Sequence, residues 1–184
     1  TSAQVNYNIY KPFGKFNSFF SGASVTNEML YAPREFVKFS LNSWATFIPK
    51  SFNAFGIYTW VVPTEVKDFF EPRTWGKVLI RPGSSGFNAW VSTNYAKRLA
   101  LDANLDFDYS KPYNQRFTSV GIEPRFRFND KLFMQHRLDL SLSTNNQGFV
   151  NNTEDNDIII GQRDLLTVTN TFSGKYSFTN RIAI

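Results

Sequence analysis

The chain has 184 residues, with 20 basic and 15 acidic side chains and a net charge of +5 when its single histidine is neutral. The absence of cysteine excludes a disulfide framework, a thiolate metal site and a thiol nucleophile, and one histidine excludes a His-rich zinc site and argues against a Ser-His-Asp triad. Aromatic residues make up 17% of the chain, a large share for one domain, yet no apolar run approaches the roughly 18 residues of a spanning helix.

The opening Thr-Ser-Ala-Gln shows no charged segment followed by an apolar one, and the missing initiator Met suggests a mature or trimmed product. From there the chain alternates apolar and polar residues with the two-residue period of a strand. Val5, Tyr7 and Ile9 alternate with Gln4, Asn6 and Asn8. Val37, Phe39, Leu41, Ala45 and Phe47 oppose Lys38, Ser40, Asn42 and Thr46, and Phe55, Ile57 and Val61 continue the odd-numbered set. The clearest segment sets Leu99, Leu101, Ala103, Leu105, Phe107 and Tyr109 against Ala100, Asp102, Asn104, Asp106 and Asp108. Apolar positions are then even-numbered, with Thr118 to Phe128 opposing Ser119 to Arg127, and Leu132 to Leu142 opposing Gln135 to Ser143. No stretch carries a helical stripe.

Connections alternate between short and long. Short ones centre on Lys11-Pro12-Phe13-Gly14-Lys15, Pro49-Lys50-Ser51, Ala96-Lys97-Arg98, Asn129-Asp130-Lys131 and Thr179-Asn180-Arg181. Longer ones span residues 27–34, 63–86, 111–115 and 145–163, giving five hairpins and about ten strands. One face stays apolar across a hairpin only if its turn holds an odd number of residues. Three-residue turns satisfy this everywhere except the first, where five residues do, and Glu123 then faces Arg137 across the sheet.

Such a sheet suits a soluble barrel with its apolar face inward, or an outer-membrane barrel with that face toward lipid. Three features favour the membrane. The polar face is rich in Asn, Ser, Thr, Asp and Arg but poor in Lys, and the lysines gather at the short turns. Aromatic residues sit at strand ends, among them Tyr10, Phe13, Phe47, Phe52, Tyr95, Tyr109, Phe128, Tyr176 and Phe178, where interfacial girdles lie. Short turns on one side and long loops on the other match the periplasmic and extracellular asymmetry of these barrels.

Several segments carry a family resemblance: Asp68-Phe69-Phe70-Glu71-Pro72-Arg73, then Ala89-Trp90-Val91-Ser92-Thr93-Asn94-Tyr95-Ala96-Lys97-Arg98-Leu99-Ala100-Leu101, then Pro124-Arg125-Phe126-Arg127-Phe128-Asn129-Asp130-Lys131. Asn146-Gln147-Gly148-Phe149-Val150-Asn151, Gly161-Gln162-Arg163-Asp164, Asn170 and Lys175-Tyr176-Ser177-Phe178-Thr179-Asn180 follow in order. Over residues 7–184 the chain resembles the C-terminal β-barrel module of a large Bacteroidota outer-membrane family of unassigned function. Its full-length members usually carry an N-terminal β-sandwich similar to family 9 carbohydrate-binding modules. The resemblance implies a multi-pass outer-membrane barrel, and a glycan partner only through a domain absent from this stretch. It implies no reaction.

Residues 1–184 are therefore expected to be all-β, part of one antiparallel transmembrane β-barrel of which about ten strands are visible. The last strand begins at Ile182 and stops two residues later, so a fragment of a larger barrel is expected. The expected role is membrane anchor or scaffold, linked to carbohydrate binding or solute passage. Two alternatives stand beside it: an accessory subunit of a larger outer-membrane complex (secretion, assembly or nutrient uptake), or a soluble ligand-binding barrel. Partners are outer-membrane lipid and other outer-membrane or surface proteins. Nucleic acid is not expected, since the lysines are scattered among turns instead of forming a stripe.

Lumen-facing polar candidates are Asp102, Asp106, Asp108, Glu123, Arg125, Arg127, Arg137 and Asp139, which either orient a polar solute or fill a narrow lumen as a charge ladder. Asp68, Phe69, Phe70, Glu71, Pro72 and Arg73 form a loop candidate that either binds a ligand at the mouth or pins the loop through local pairing. The oxygen-rich stretch Asn151-Asn152-Thr153-Glu154-Asp155-Asn156-Asp157 lacks the spacing of a calcium loop and is expected to be a solvated surface loop, and His136 an interfacial residue near a short turn. Carboxylate pairs at glycosidase distances arise by chance in such a sheet. No catalytic residue, metal ligand or cofactor is expected.

Overall fold

Alternating residues give a strand two chemically different faces, and nine long strands repeat that pattern in antiparallel order. They are β1 (Ser2–Ile9), β2 (Phe16–Met29), β3 (Phe36–Pro49), β4 (Ala54–Val62), β7 (Ser84–Ser92), β8 (Leu99–Ser110), β9 (Gln115–Arg127), β10 (Leu132–Asn152) and β11 (Ile158–Thr179), each bonded to the long strand before it. A two-residue β12 (Ile182–Ala183) pairs with β11, and β5 (Val66–Asp68) and β6 (Leu79–Arg81) form a separate small hairpin between β4 and β7. This computed structural model describes residues 1–111, 113–155, 157–179 and 182–183.

The all-β antiparallel expectation is met. The sheet is open, however: among the described residues neither β11 nor β12 pairs with β1. The expected turn at Thr179-Asn180-Arg181 lies in part outside the described residues.

Register follows the parity argument. Arg127 pairs with Phe133 around the turn at 129–131, and Ser92 pairs with Asp102 around the turn at 96–98. At the second turn Phe47 pairs with Phe55, two residues off the expected three-residue turn, but the apolar residues stay on the same side. Between β8 and β9, Ser110 pairs with Gln115, leaving four residues outside the ladder. That even count moves the apolar positions from odd to even numbers.

One expected loop is largely strand and another holds a short hairpin. Residues 145–152 and 158–163 continue β10 and β11 as a ribbon, with bulges after Ser143 and Phe149, and Asn156 of the expected loop 151–157 lies outside the described residues. Since β9 stops pairing at Arg116 with Thr144, this ribbon stands clear of the rest of the sheet. The connection at 63–86 holds the β5–β6 hairpin and the first residues of β7.

Burial is inverted relative to a soluble domain. Ala100, at 4% exposure, and Pro72 are the only fully enclosed apolar side chains among the described residues, while Ser40, Ser110 and Glu123 are buried on the polar face. On the opposite face Ile122 is 44% exposed, Val168 54% and Leu166 72%. A flat single layer would expose both faces equally, so the sheet curls around its polar face.

Glycines make that curl possible. Gly22 pairs with Trp44, Gly56 with Trp90 and Gly86 with Trp60, and each indole lies across its partner glycine on the inner face. A Cβ on Gly56 would sit 2.8 Å from Trp90, and one on Gly86 would collide with both Trp60 and the Phe107 carbonyl oxygen. Gly86→Ala should therefore cost about 1–3 kcal/mol in an unfolding titration, because a backbone oxygen cannot step aside. Gly174→Ala, whose Cβ would meet nothing closer than 3.8 Å, should stay within about 0.5 kcal/mol of the parent protein.

Candidate functional site

The polar face of β8 to β10 carries an ionic network. The Arg125 guanidinium bridges Asp102 and Glu123, both at 2.8 Å, and Arg137 bridges Glu123 at 3.4 Å and Asp139 at 2.7 Å. The chain of charges runs Asp102, Arg125, Glu123, Arg137, Asp139, alternating in sign across three strands. The pair expected between Glu123 and Arg137 is present. Glu123 is 8% exposed, and two guanidiniums offset its desolvation.

Neutral donors extend the network. The Tyr95 hydroxyl donates to Asp102 at 2.6 Å and Ser92 donates at 2.7 Å, while the Arg125 guanidinium lies 4.7 Å from the Tyr95 ring centre. Burial and the hydrogen bond to the Asp102 carboxylate raise the Tyr95 phenol above its ordinary value, so it stays protonated as a donor. Asp106 accepts from Asn88 and Asn104, and Asp108 accepts from the Trp60 indole at 2.8 Å. Arg127 shares the polar face but makes no ion pair among the described residues.

Seven of the eight lumen candidates thus form partnered groups. The sequence did not disclose the inward tryptophans. The signal for them is parity: Trp44, Trp60 and Trp90 are even-numbered in strands whose apolar residues are odd. Tyr10 and Tyr95 were expected in an outer girdle, but Tyr10 packs edge-on against inward Phe20 at 5.6 Å and Tyr95 turns to Asp102. Each has a polar partner on that side, the Asn8 amide donating to Tyr10 and the Asp102 carboxylate accepting from Tyr95. On the outer face Tyr7, Phe19, Phe47 and Phe55 do form a continuous aromatic row near the short turns. His136 is exposed on that face, 3.2 Å from the Asn170 amide oxygen.

At the opposite end the β5–β6 hairpin ties separate parts of the sheet together. Lys67 pairs at 3.3 Å with Glu35, just before β3. Asp68 accepts the Phe70 and Glu71 amides at 3.0 Å and pairs with Arg81. Glu71 accepts the Phe149 amide at 2.7 Å, and Arg73, in the left-handed region, lies 5.1 Å from the centre of the Phe149 ring. Pro72 is enclosed, Phe69 is half-buried, and Phe70 points outward. The motif's charges pair locally and with the β10 ribbon, so the loop is a strap between β3 and β10. No cluster of three or more metal-ligating side chains occurs among the described residues.

Burial pushes the Asp68 carboxyl up, but the Glu71 and Phe70 amides and Arg81 outweigh it and hold its pKa below the ordinary 3.8. A depressed pKa gives stabilisation that is complete above that value and lost as pH falls below it. Hydrogen exchange at the Phe70 and Glu71 amides should therefore lose protection below pH 3.8, and Asp68→Asn should remove that dependence. For the ionic network, a double-mutant cycle of Glu123→Gln with Arg137→Gln should return a coupling of about 0.5–3 kcal/mol, and zero coupling would mean the pair is screened.

No curated protein and no solved structure matches the chain. The family model described as a domain of unknown function, DUF5916, matches residues 1–184 from end to end. An all-β sheet with a polar inner face and an apolar outer one is thus the architecture of this stretch, and the chain belongs to the DUF5916 family.

Proposed function

We propose that this domain is wall of an integral outer-membrane β-barrel that serves as a non-enzymatic membrane anchor and scaffold. The inverted burial carries the reading. Leu101, Leu105, Val120, Ile122, Leu140 and Leu142 stand exposed on one continuous face, and a water-soluble sheet has no physical reason to bury glutamate while presenting leucine. A hydrocarbon surround removes that contradiction, since lipid solvates the apolar face and the ion pairs satisfy one another inside. The aromatic row beside the short turns suits the headgroup level.

Lipid also requires every strand edge to be paired, because unsatisfied backbone groups cost several kcal/mol each in hydrocarbon. In lipid the edges at β1 and at β11–β12 each need a partner strand, which in an anchor would come from the same protein. They also favour a second reading, an accessory subunit whose edges pair with another outer-membrane protein. The link to carbohydrate binding rests on the family resemblance alone. Solute passage is the less supported role, because the strap crosses from β3 to β10 at one end of the polar face.

The full-length protein should stay with outer membranes through alkaline carbonate washing and require detergent for extraction. Leu140→Arg, at the middle of the outer face, should destabilise insertion by about 2–4 kcal/mol, whereas Ser141→Arg on the inner face should not. Recovery of the parent protein in the detergent-free fraction would overturn the reading.

A further inference from the structure

The ionic network neutralises itself, but the polar face changes character one layer closer to the short turns. Arg127 on β9 and Lys175 on β11 are both register partners of Phe133 on β10, so the three side chains form one row with the ring between two cations. Neighbouring positions in such a row lie about 5 Å apart, which puts the two cations about 10 Å apart across the ring, within reach of one small ligand. Neither makes an ion pair among the described residues.

Two adjoining cavities meet at Arg127 and Phe133, and Lys175 lines the larger of the two. One, of about 210 Å3, adds Lys97 and Arg98 from the β7–β8 turn, and the other, of about 230 Å3, adds Lys131 from the β9–β10 turn. Asp130 is the one acid among the described residues that line either cavity. Arg98 is held in place by donating to the Phe128 carbonyl at 2.8 Å, and the buried Nε of Arg125, on the wall of the first cavity, has no hydrogen-bond partner. Deeper in, each cation faces an acid. Here cations converge without enough acid to balance them, and that imbalance favours an anion.

We infer that the row Arg127–Phe133–Lys175, with Lys97 and Arg98, is a binding site for a phosphate-bearing anion at the short-turn end of the polar face. Guanidiniums supply paired donors to phosphate oxygens, the ammonium groups add point charge, and Phe133 supplies an apolar floor for whatever carries the phosphate. The site lies on the inner face whether or not the outer face meets lipid, so it stands or falls apart from the membrane reading.

The probe is inorganic pyrophosphate, titrated calorimetrically into the full-length protein in non-ionic detergent. Saturable binding should weaken with salt, and Arg127→Gln with Lys175→Gln should weaken it about tenfold or more. Arg127→Lys, which keeps the charge but loses the paired donors, guards against a folding artefact and should bind more tightly than Arg127→Gln and less tightly than the parent. Repeating the titration in nanodiscs separates a soluble ligand from a lipid headgroup. Unchanged affinity with phosphatidylglycerol in the disc assigns the site to a soluble anion, and suppression relative to phosphatidylcholine assigns it to a headgroup phosphate. No saturable binding by the parent protein overturns the site. So does binding by a folded double variant within twofold of the parent, or equal weakening by Lys11→Gln with Lys50→Gln, rim lysines outside both cavities.

Discussion

Every pairing in this sheet must return the apolar side chains to the same side, and the rest of the structure follows from that constraint. A slip of one residue at any turn would put leucines among carboxylates. The connections respect it by count. Turns with an odd number of residues keep the numbering of the apolar face, and the four residues between Ser110 and Gln115 change it at the one place where the sequence pattern itself changes. The second turn departs from its expected register by two residues, and two is the smallest slip that harms nothing.

Continuity of the outer face leaves the inner face to be filled by what remains, and it divides into two kinds of lining. From β2 to β7 the space is taken by indoles laid over glycines, a large side chain on one strand completing a missing one on the next. From β8 to β10 it is taken by alternating charges. The Trp60 indole donating to Asp108 joins the halves. Both linings satisfy the same requirement: a curled strand needs narrow neighbours or partnered ones. Glycine gives the first and the ion pairs give the second.

The sequence made legible whatever depends on alternation. The faces of β8, β9 and β10, the odd-to-even change, the Glu123–Arg137 contact and the inward set of carboxylates all follow from period and parity. What it concealed depends on contacts between distant segments. Residues 145–163 are rich in Asn, Asp and Gly and suggest a loop, yet pairing partners and the contacts of Glu71 and Arg73 hold 145–152 and 158–163 as a ribbon. β2 carries small residues on both faces, so its period is faint until Gly22 is seen beneath Trp44. Tyr95 lies in a turn where periodicity says nothing, and only the nearby Asp102 and Arg125 fix its direction.

The lengths of β10 and β11, 21 and 22 residues, set a standoff distance. At about 3.4 Å per residue, the eight residues of β10 beyond its last pairing with β9 rise roughly 27 Å above that strand. The strap runs from the start of β3 to this mast, so the β5–β6 hairpin is anchored at both places. A macromolecule approaching from that side would meet the mast and its strap well before it met the wall.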